Sequence, residues 1–302
     1  MKDVVLLDGG LGQELYKRAA KTAHPLWSAK VMMDEPDLVT SVHQEFIRAG
    51  AQVITLNTYT CTPTRLRRDG HVSWFEKLQG QALRLARQAR HELGEKASQV
   101  QLAGCLPPLI GSYTVETRSL EHLRAEYREI AQIQAEGVEL FIIETISNIR
   151  EAVAATEAAL ETGKPVLLSF SLSDWNPAHL RSGEPLTDAL EAVSGYALRG
   201  LLLNCSLPET ISESLQLLKA HGLPYGGYAN GFTSVEALQP GGTVDVLSAR
   251  TDLDEAKFTH ITSEWVRKGA SIVGGCCEVG PSYIAALHQD LLQKGYRIRP
   301  LA

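Results

Sequence analysis

The sequence has no apolar run approaching the ~20 residues that a bilayer-spanning helix needs. Its first residues, Met1-Lys2-Asp3-Val4-Val5-Leu6-Leu7-Asp8, reach a carboxylate and two glycines too soon for a secretory leader. A cytoplasmic protein with no membrane partner is expected. Cysteine is scarce and odd in number, five in 302 residues. That is too few for a secreted disulfide scaffold, so the five are expected to be thiols. Basic blocks are missing as well. Twenty-nine Lys and Arg against 35 Asp and Glu give a formal charge of −6, which argues against a nucleic-acid partner. Three chemical signatures are also absent. There is no H-E-x-x-H, no G-x-S-x-G elbow, and the glycines of Asp8-Gly9-Gly10-Leu11-Gly12 lack the G-x-G-x-x-G spacing of dinucleotide binding.

What is present is a large core: 44% hydrophobic and 21% charged residues, with no low-complexity tract. Short apolar runs alternate with amphipathic, helix-length segments from end to end. The runs are Val4–Leu7, Val53–Thr55, Val100–Ala103, Leu140–Ile143, Val166–Phe170, Gly200–Leu203, Pro224–Tyr228 and Ser271–Val273. Between them, Leu78, Ala82, Leu85, Ala89 and Leu93 repeat at helical steps, as do Leu120, Leu123, Tyr127, Ile130 and Ile133. Asn148 and Pro208 mark helix starts, and further helices are expected near 37–49, 185–198, 254–268 and 281–294. Eight apolar strands separated by helices predict a parallel sheet closed into a single (β/α)8 TIM barrel, one domain over residues 1–302. The long connections rich in Gly, Pro, Ser and Thr, notably 106–119, 172–185 and 229–251, then lie at the C-terminal mouth, where barrel enzymes place their sites.

Chemistry-bearing residues cluster at those strand ends. Cys205 follows the sixth strand, and Cys276 and Cys277 follow the eighth behind Gly274-Gly275. Three thiolates converging across the mouth would hold a soft, tetrahedral metal, zinc above all, with an open fourth position. The two glycines are expected to let the chain turn tightly there. Cys61 and Cys105 default to packing. Asp8 ends the first strand and Glu144 the fourth; two carboxylates could grip an ammonium, while the amides of Gly9 and Gly10 could cradle a carboxylate. Trp27, Tyr113, Trp175, Tyr228 and Phe232 on mouth segments could face a cation. His43, His91, His122 and His288 lie in helical patterns and are expected to be solvated. Two rival readings stay open on these residues alone: a barrel lyase or hydrolase with Asp8 and Glu144 as acid and base, and a non-catalytic module whose zinc only ties down the C-terminal segment.

Asp8-Gly9-Gly10-Leu11-Gly12, Glu144-Thr145, Asn204-Cys205 and Gly274-Gly275-Cys276-Cys277, in that order, resemble the homocysteine S-methyltransferase family. The resemblance runs from Asp8 to Pro281, and Gly-Gly-Cys-Cys is its most specific part. It implies a (β/α)8 barrel in which Cys205, Cys276 and Cys277 bind zinc and homocysteine supplies the fourth sulfur. It implies that Asp8 and Glu144 bind the homocysteine amino group, that amides near Gly9 and Gly10, with Thr58, bind its carboxylate, and that Trp27 faces a sulfonium or quaternary ammonium methyl donor. Methionine would be the product, or a methylated selenol or other thiol were the acceptor different. Glu278 stands where many members have Arg, a departure at the rim of the site.

Overall fold

The structure is a computed structural model that describes residues 2–20 and 23–302. Eight strands follow one another around a barrel: β1 (Asp3–Leu6), β2 (Val53–Thr55), β3 (Gln101–Leu106), β4 (Leu140–Ile146), β5 (Val166–Phe170), β6 (Gly200–Asn204), β7 (Tyr225–Ala229) and β8 (Ile272–Gly275). Each neighbouring pair from β2 to β8 is parallel, and β8 pairs with β1. The ring closes where the Gln52 amide donates to Leu6 O at 2.7 Å and the Asp8 amide to Val53 O at 3.0 Å. The (β/α)8 expectation is met.

Alternation along the strands builds two apolar layers. Val5, Leu7, Val53, Leu140, Ile142, Leu167, Leu202 and Ile272 fill the barrel interior. Val4, Leu6, Ile54, Phe141, Ile143, Leu168, Leu203 and Val273 face outward beneath the helices. The helices start where their caps dictate. Ser119 Oγ accepts from the His122 amide, Asn148 Oδ1 from the Glu151 amide at 2.9 Å, and Asp254 Oδ1 from the Lys257 amide at 2.8 Å.

Several boundaries differ from the sequence reading. β3 runs on to Leu106 and β4 to Ile146, so Cys105 and Glu144 lie within strands rather than after them. The helix expected over 185–198 stops at Ala192 (Leu186–Ala192), just before Ser194-Gly195, residues that favour turns over helix. Helices Leu11–Arg18 and Trp27–Asp34 occupy the first βα connection, each too short for a clear period. A ninth strand, β9 (Arg297–Ile298), pairs with β1 outside the ring. His43 is not solvated but fully buried, and burial lowers its pKa to about 4, so it packs as a neutral ring. Among the described residues no helix is long and apolar enough to cross a membrane.

Candidate active site

The C-terminal mouth of the barrel holds a cavity of about 1090 Å³, counting its open entrance. Asp8, Gly9, Gly10, Trp27, Glu144, Cys205, Cys276 and Cys277 all line it, as the sequence reading expects. Among the described residues, Cys205, Cys276 and Cys277 form the one His, Cys and acidic cluster compact enough for a metal ion, their ligand atoms all within 4.8 Å of one another. Cys205 Sγ and Cys276 Sγ are 2.7 Å apart.

The backbone explains this convergence. Cys205 adopts a left-handed conformation, φ +49°, which turns its side chain off β6 and across the mouth. Its carbonyl accepts from Arg181 Nη2 (3.2 Å) and Ser171 Oγ (3.3 Å), and these contacts hold the unfavourable turn. Tyr113 Oη lies 3.1 Å from Cys205 Sγ, its ring capped by the Arg181 guanidinium at 4.8 Å. Neither Gly274 nor Gly275 has positive φ. Their purpose is close approach rather than a tight turn: a Cβ on Gly275 would lie 2.1 Å from Val279 Cγ1. Gly10 obeys the same logic, since a Cβ there would sit 2.5 Å from Cys276 O. The first loop therefore presses directly onto the cysteine pair, which joins the two glycine motifs into one site.

Hydrogen bonds from Cys276 and then Cys277 hold the Cys205 thiol well below its usual pKa, while sharing with Cys205 pushes those two up. The donor set is soft sulfur on one face with the cavity on the other. This fits a thiophilic metal with an open position.

The carboxylates sit beside the sulfurs. Asp8 is 5% exposed and accepts from the Thr55 amide at 2.8 Å and Thr55 Oγ1 at 3.3 Å. Burial raises its pKa to about 8, opposed by the Thr55 amide and helped by the charge of Glu144. Glu144 is raised to about 7, again chiefly by burial, with a Cys105 hydrogen bond opposing. Cys105 is therefore more than packing: its thiol donates to Glu144 Oε1 at 3.0 Å. Asn204 links the two motif halves. Its Oδ1 accepts from the Thr145 amide at 2.8 Å and its Nδ2 donates to Thr145 Oγ1 at 2.9 Å. Thr145 has φ +62° at the irregularity in β4, and pinning it aims Glu144 inward.

These raised values have a stability consequence. Between about pH 4 and pH 8 the unfolded Asp8 is ionised while the folded one holds its proton, so the folded state binds more protons and loses stability as pH rises. Asp8→Asn mimics the protonated form. It is expected to match wild type near pH 4 and become progressively more stable than it up to about pH 8. Paired thermal melts across that range check the sign, and a constant difference would contradict it.

Other expected residues fall less simply. The Gly10 amide already donates to Val279 O at 2.9 Å, and only the Gly9 amide lacks an acceptor among the described residues. Thr58 lies behind the cavity wall, its hydroxyl accepting from Gln134 Nε2 at 3.3 Å. Trp175 is 79% exposed and off the cavity, its indole N–H held by Glu236. Tyr113, Tyr228 and Phe232 do line it. Trp27 heads its helix at φ +45° and stands edge-on to Tyr59, with ring centroids 6.3 Å apart. Gly12 makes room for it, since a Cβ there would meet the indole at 2.5 Å. Sequence reasoning missed Thr55, Tyr59 and Arg65. Of these, only Thr55 carried a usable signal, as the end of a predicted strand beside that of Asp8.

A family model described as Homocysteine S-methyltransferase matches residues 5–291. The chain belongs to the homocysteine S-methyltransferase family. Its relatives include the homocysteine S-methyltransferase of Escherichia coli (strain K12), 32% identical over 95% of this chain and 94% of that one. The selenocysteine Se-methyltransferase of Brassica oleracea var. italica is 28% identical over 96% of this chain and 89% of its own length. Among solved structures, the metallated form of the homocysteine methyltransferase MmuM from Escherichia coli matches with a TM-score of 0.80 and 29% identity, covering 96% of both chains. This membership removes the lyase, hydrolase and non-catalytic readings: the chain is a methyltransferase barrel with a cysteine metal site.

Proposed function

We propose that the enzyme moves a methyl group from a sulfonium or quaternary ammonium donor to the sulfur of homocysteine, giving methionine, with zinc held by Cys205, Cys276 and Cys277. The observation that carries this is the convergence of three cysteine sulfurs within 4.8 Å beside two buried carboxylates in one cavity. When bound, zinc supplies a Lewis acid that keeps the acceptor sulfur ionised near neutral pH, where a free thiol of pKa about 8.5 is mostly protonated.

The chain's own groups do the rest. Asp8 and Glu144 take the homocysteine ammonium, and its positive charge relieves their burial. The Gly9 amide is the free donor for the carboxylate, with Gly10 shaping the loop and Thr58 supporting the wall rather than touching substrate. The thiol proton leaves to solvent on binding. The sulfur pair then forms a C–S bond as the donor's bond to the same carbon breaks, its electrons returning to the departing atom. Three thiolates outweigh a divalent cation in charge, so the pocket attracts a cationic donor, and transfer annihilates charge in a site of low dielectric. Trp27, which lines the cavity as Tyr228 and Phe232 do, is the aromatic assigned to that donor. Arg65 covers Tyr59 at 5.0 Å and Arg181 covers Tyr113, whereas no described cation stacks on Trp27. The same sulfur site would serve a selenol, the acceptor type named for the Brassica relative.

The test is a donor panel with homocysteine as acceptor, reading methionine by mass. At least one sulfonium or quaternary ammonium compound is expected to give methionine, with the activity lost to a chelator and restored by zinc. Activity indifferent to chelation, or no methionine from any donor, would overturn the proposal.

A further inference from the structure

The Glu144 carboxyl has a single hydrogen-bond partner among the described residues, the Cys105 thiol at 3.0 Å from its Oε1. Asp8, by contrast, is anchored twice by Thr55. The sheet gives Glu144 little further help. It lies in the stretch between Ile143 and Ile146 where the register of β4 against β5 shifts. Asn204 pins the neighbouring Thr145, which fixes where the Glu144 side chain starts. Where its carboxyl comes to rest is left to Cys105. A glutamate loses much rotamer freedom on being ordered, so a single bond at its tip decides which rotamer is held.

Cys105 is itself fixed. It is buried on β3, and Gln134 on the helix Leu120–Ala135 brackets its backbone. Gln134 Oε1 accepts from the Cys105 amide at 2.9 Å, and its Nε2 donates to the Cys105 carbonyl at 3.3 Å. The same Nε2 donates to Gln79 Oε1 at 2.8 Å, on the helix Phe75–Glu92. Both glutamines are buried, where an amide left unpaired is costly, so this chain of bonds holds Cys105 in one place. The thiol also divides the work of the two carboxylate oxygens. Oε1 is taken, whereas Oε2 has no partner among the described residues, and Glu144 lines the cavity. One oxygen is thereby kept for an incoming donor.

We propose that Cys105 is a positioning residue for the acceptor, its thiol holding the Glu144 carboxylate in the orientation that takes the homocysteine ammonium. This rests on the reading above in which Glu144 binds that group, and adds the residue through which it is aimed. Packing alone would ask for a small apolar side chain at 105; positioning asks for a donor. Cys105→Ala is expected to raise the homocysteine KM roughly tenfold, the size of a lost hydrogen bond to a charged group, with kcat at saturation and metal content unchanged. Cys105→Ser keeps a donor and is expected to retain most of the affinity. Cys105→Val, closer in volume, repeats the loss should the alanine variant fail to fold. Because Cys105 acts through Glu144, Cys105→Ala combined with Glu144→Gln is expected to be no weaker than Glu144→Gln alone. A wild-type KM in the alanine or valine variant, a serine variant no better than alanine, or additive losses in the double variant would overturn the assignment. The failures are distinguishable. A raised KM in Glu144→Gln beside an unchanged one in Cys105→Ala removes Cys105 alone, and an unchanged KM in Glu144→Gln removes both residues from recognition. Calorimetric titration of homocysteine, with no donor present, reads the same ranking of variants, so a failure of methyl transfer would leave this assignment standing or falling by itself.

Discussion

Cys205→Ala, Cys276→Ala and Cys277→Ala are each expected to take the protein from stoichiometric to trace metal and to lower methionine formation by about 10³ or more. Two contributions set that size. Losing the metal returns the acceptor to a free thiol, a few per cent ionised at pH 7, which costs roughly thirtyfold. Losing the anchor for its sulfur misplaces the nucleophile, and displacements of about 1 Å cost on the order of 10². Three sulfurs sharing one ion would lose it together, so the three variants should be equivalent and a double variant little worse than a single one. Metal analysis beside a turnover assay decides the matter. Retention of metal in all three single variants would show that these cysteines are not its ligands. Retention in one would leave that residue outside the set.

The cysteines were legible in the sequence because each sits where a βα connection begins, and the barrel brings all such points to one rim. The strands were legible for a related reason: both faces are covered, so they read as apolar runs rather than alternations. The conformation that makes the cysteines converge was not legible. Cys205 at φ +49° and Thr145 at φ +62° are non-glycine residues in a region the local sequence does not announce. Arg181, Ser171 and Asn204 hold them there, through contacts that exist only once β4, β5 and β6 are side by side. The same holds for His43, whose helical spacing looked like a solvated face until the neighbouring helices covered it. Thr58 was misplaced for a simpler reason. In a strand-to-loop passage a shift of one residue exchanges a cavity-facing side chain for one behind the wall, as Asn57 and Tyr59 on either side of it show by lining the pocket.

Asp8→Asn and Glu144→Gln are expected to raise the homocysteine KM by roughly 10- to 150-fold each, the cost of a charge-assisted hydrogen bond to an ammonium, with metal content unchanged. Burial holds their pKa values at about 8 and about 7, and on the proposed function a bound ammonium would offset that burial. Ionised carboxylates pair best with the ammonium, so homocysteine affinity in wild type should improve as pH rises through that range, in addition to the rise that release of the thiol proton contributes up to about pH 8.5. In Asp8→Asn the upper of the two ionisations disappears, leaving a weaker affinity that rises less steeply than wild type between about pH 7 and pH 8. This opposes the stability effect of the same substitution, which grows more favourable over the same interval. A variant that bound homocysteine like wild type while showing the stability gain would place Asp8 in the barrel's structure and remove it from recognition. Homocysteine titrations from pH 6 to pH 9 on wild type and both variants, with metal content measured on each sample, separate these outcomes.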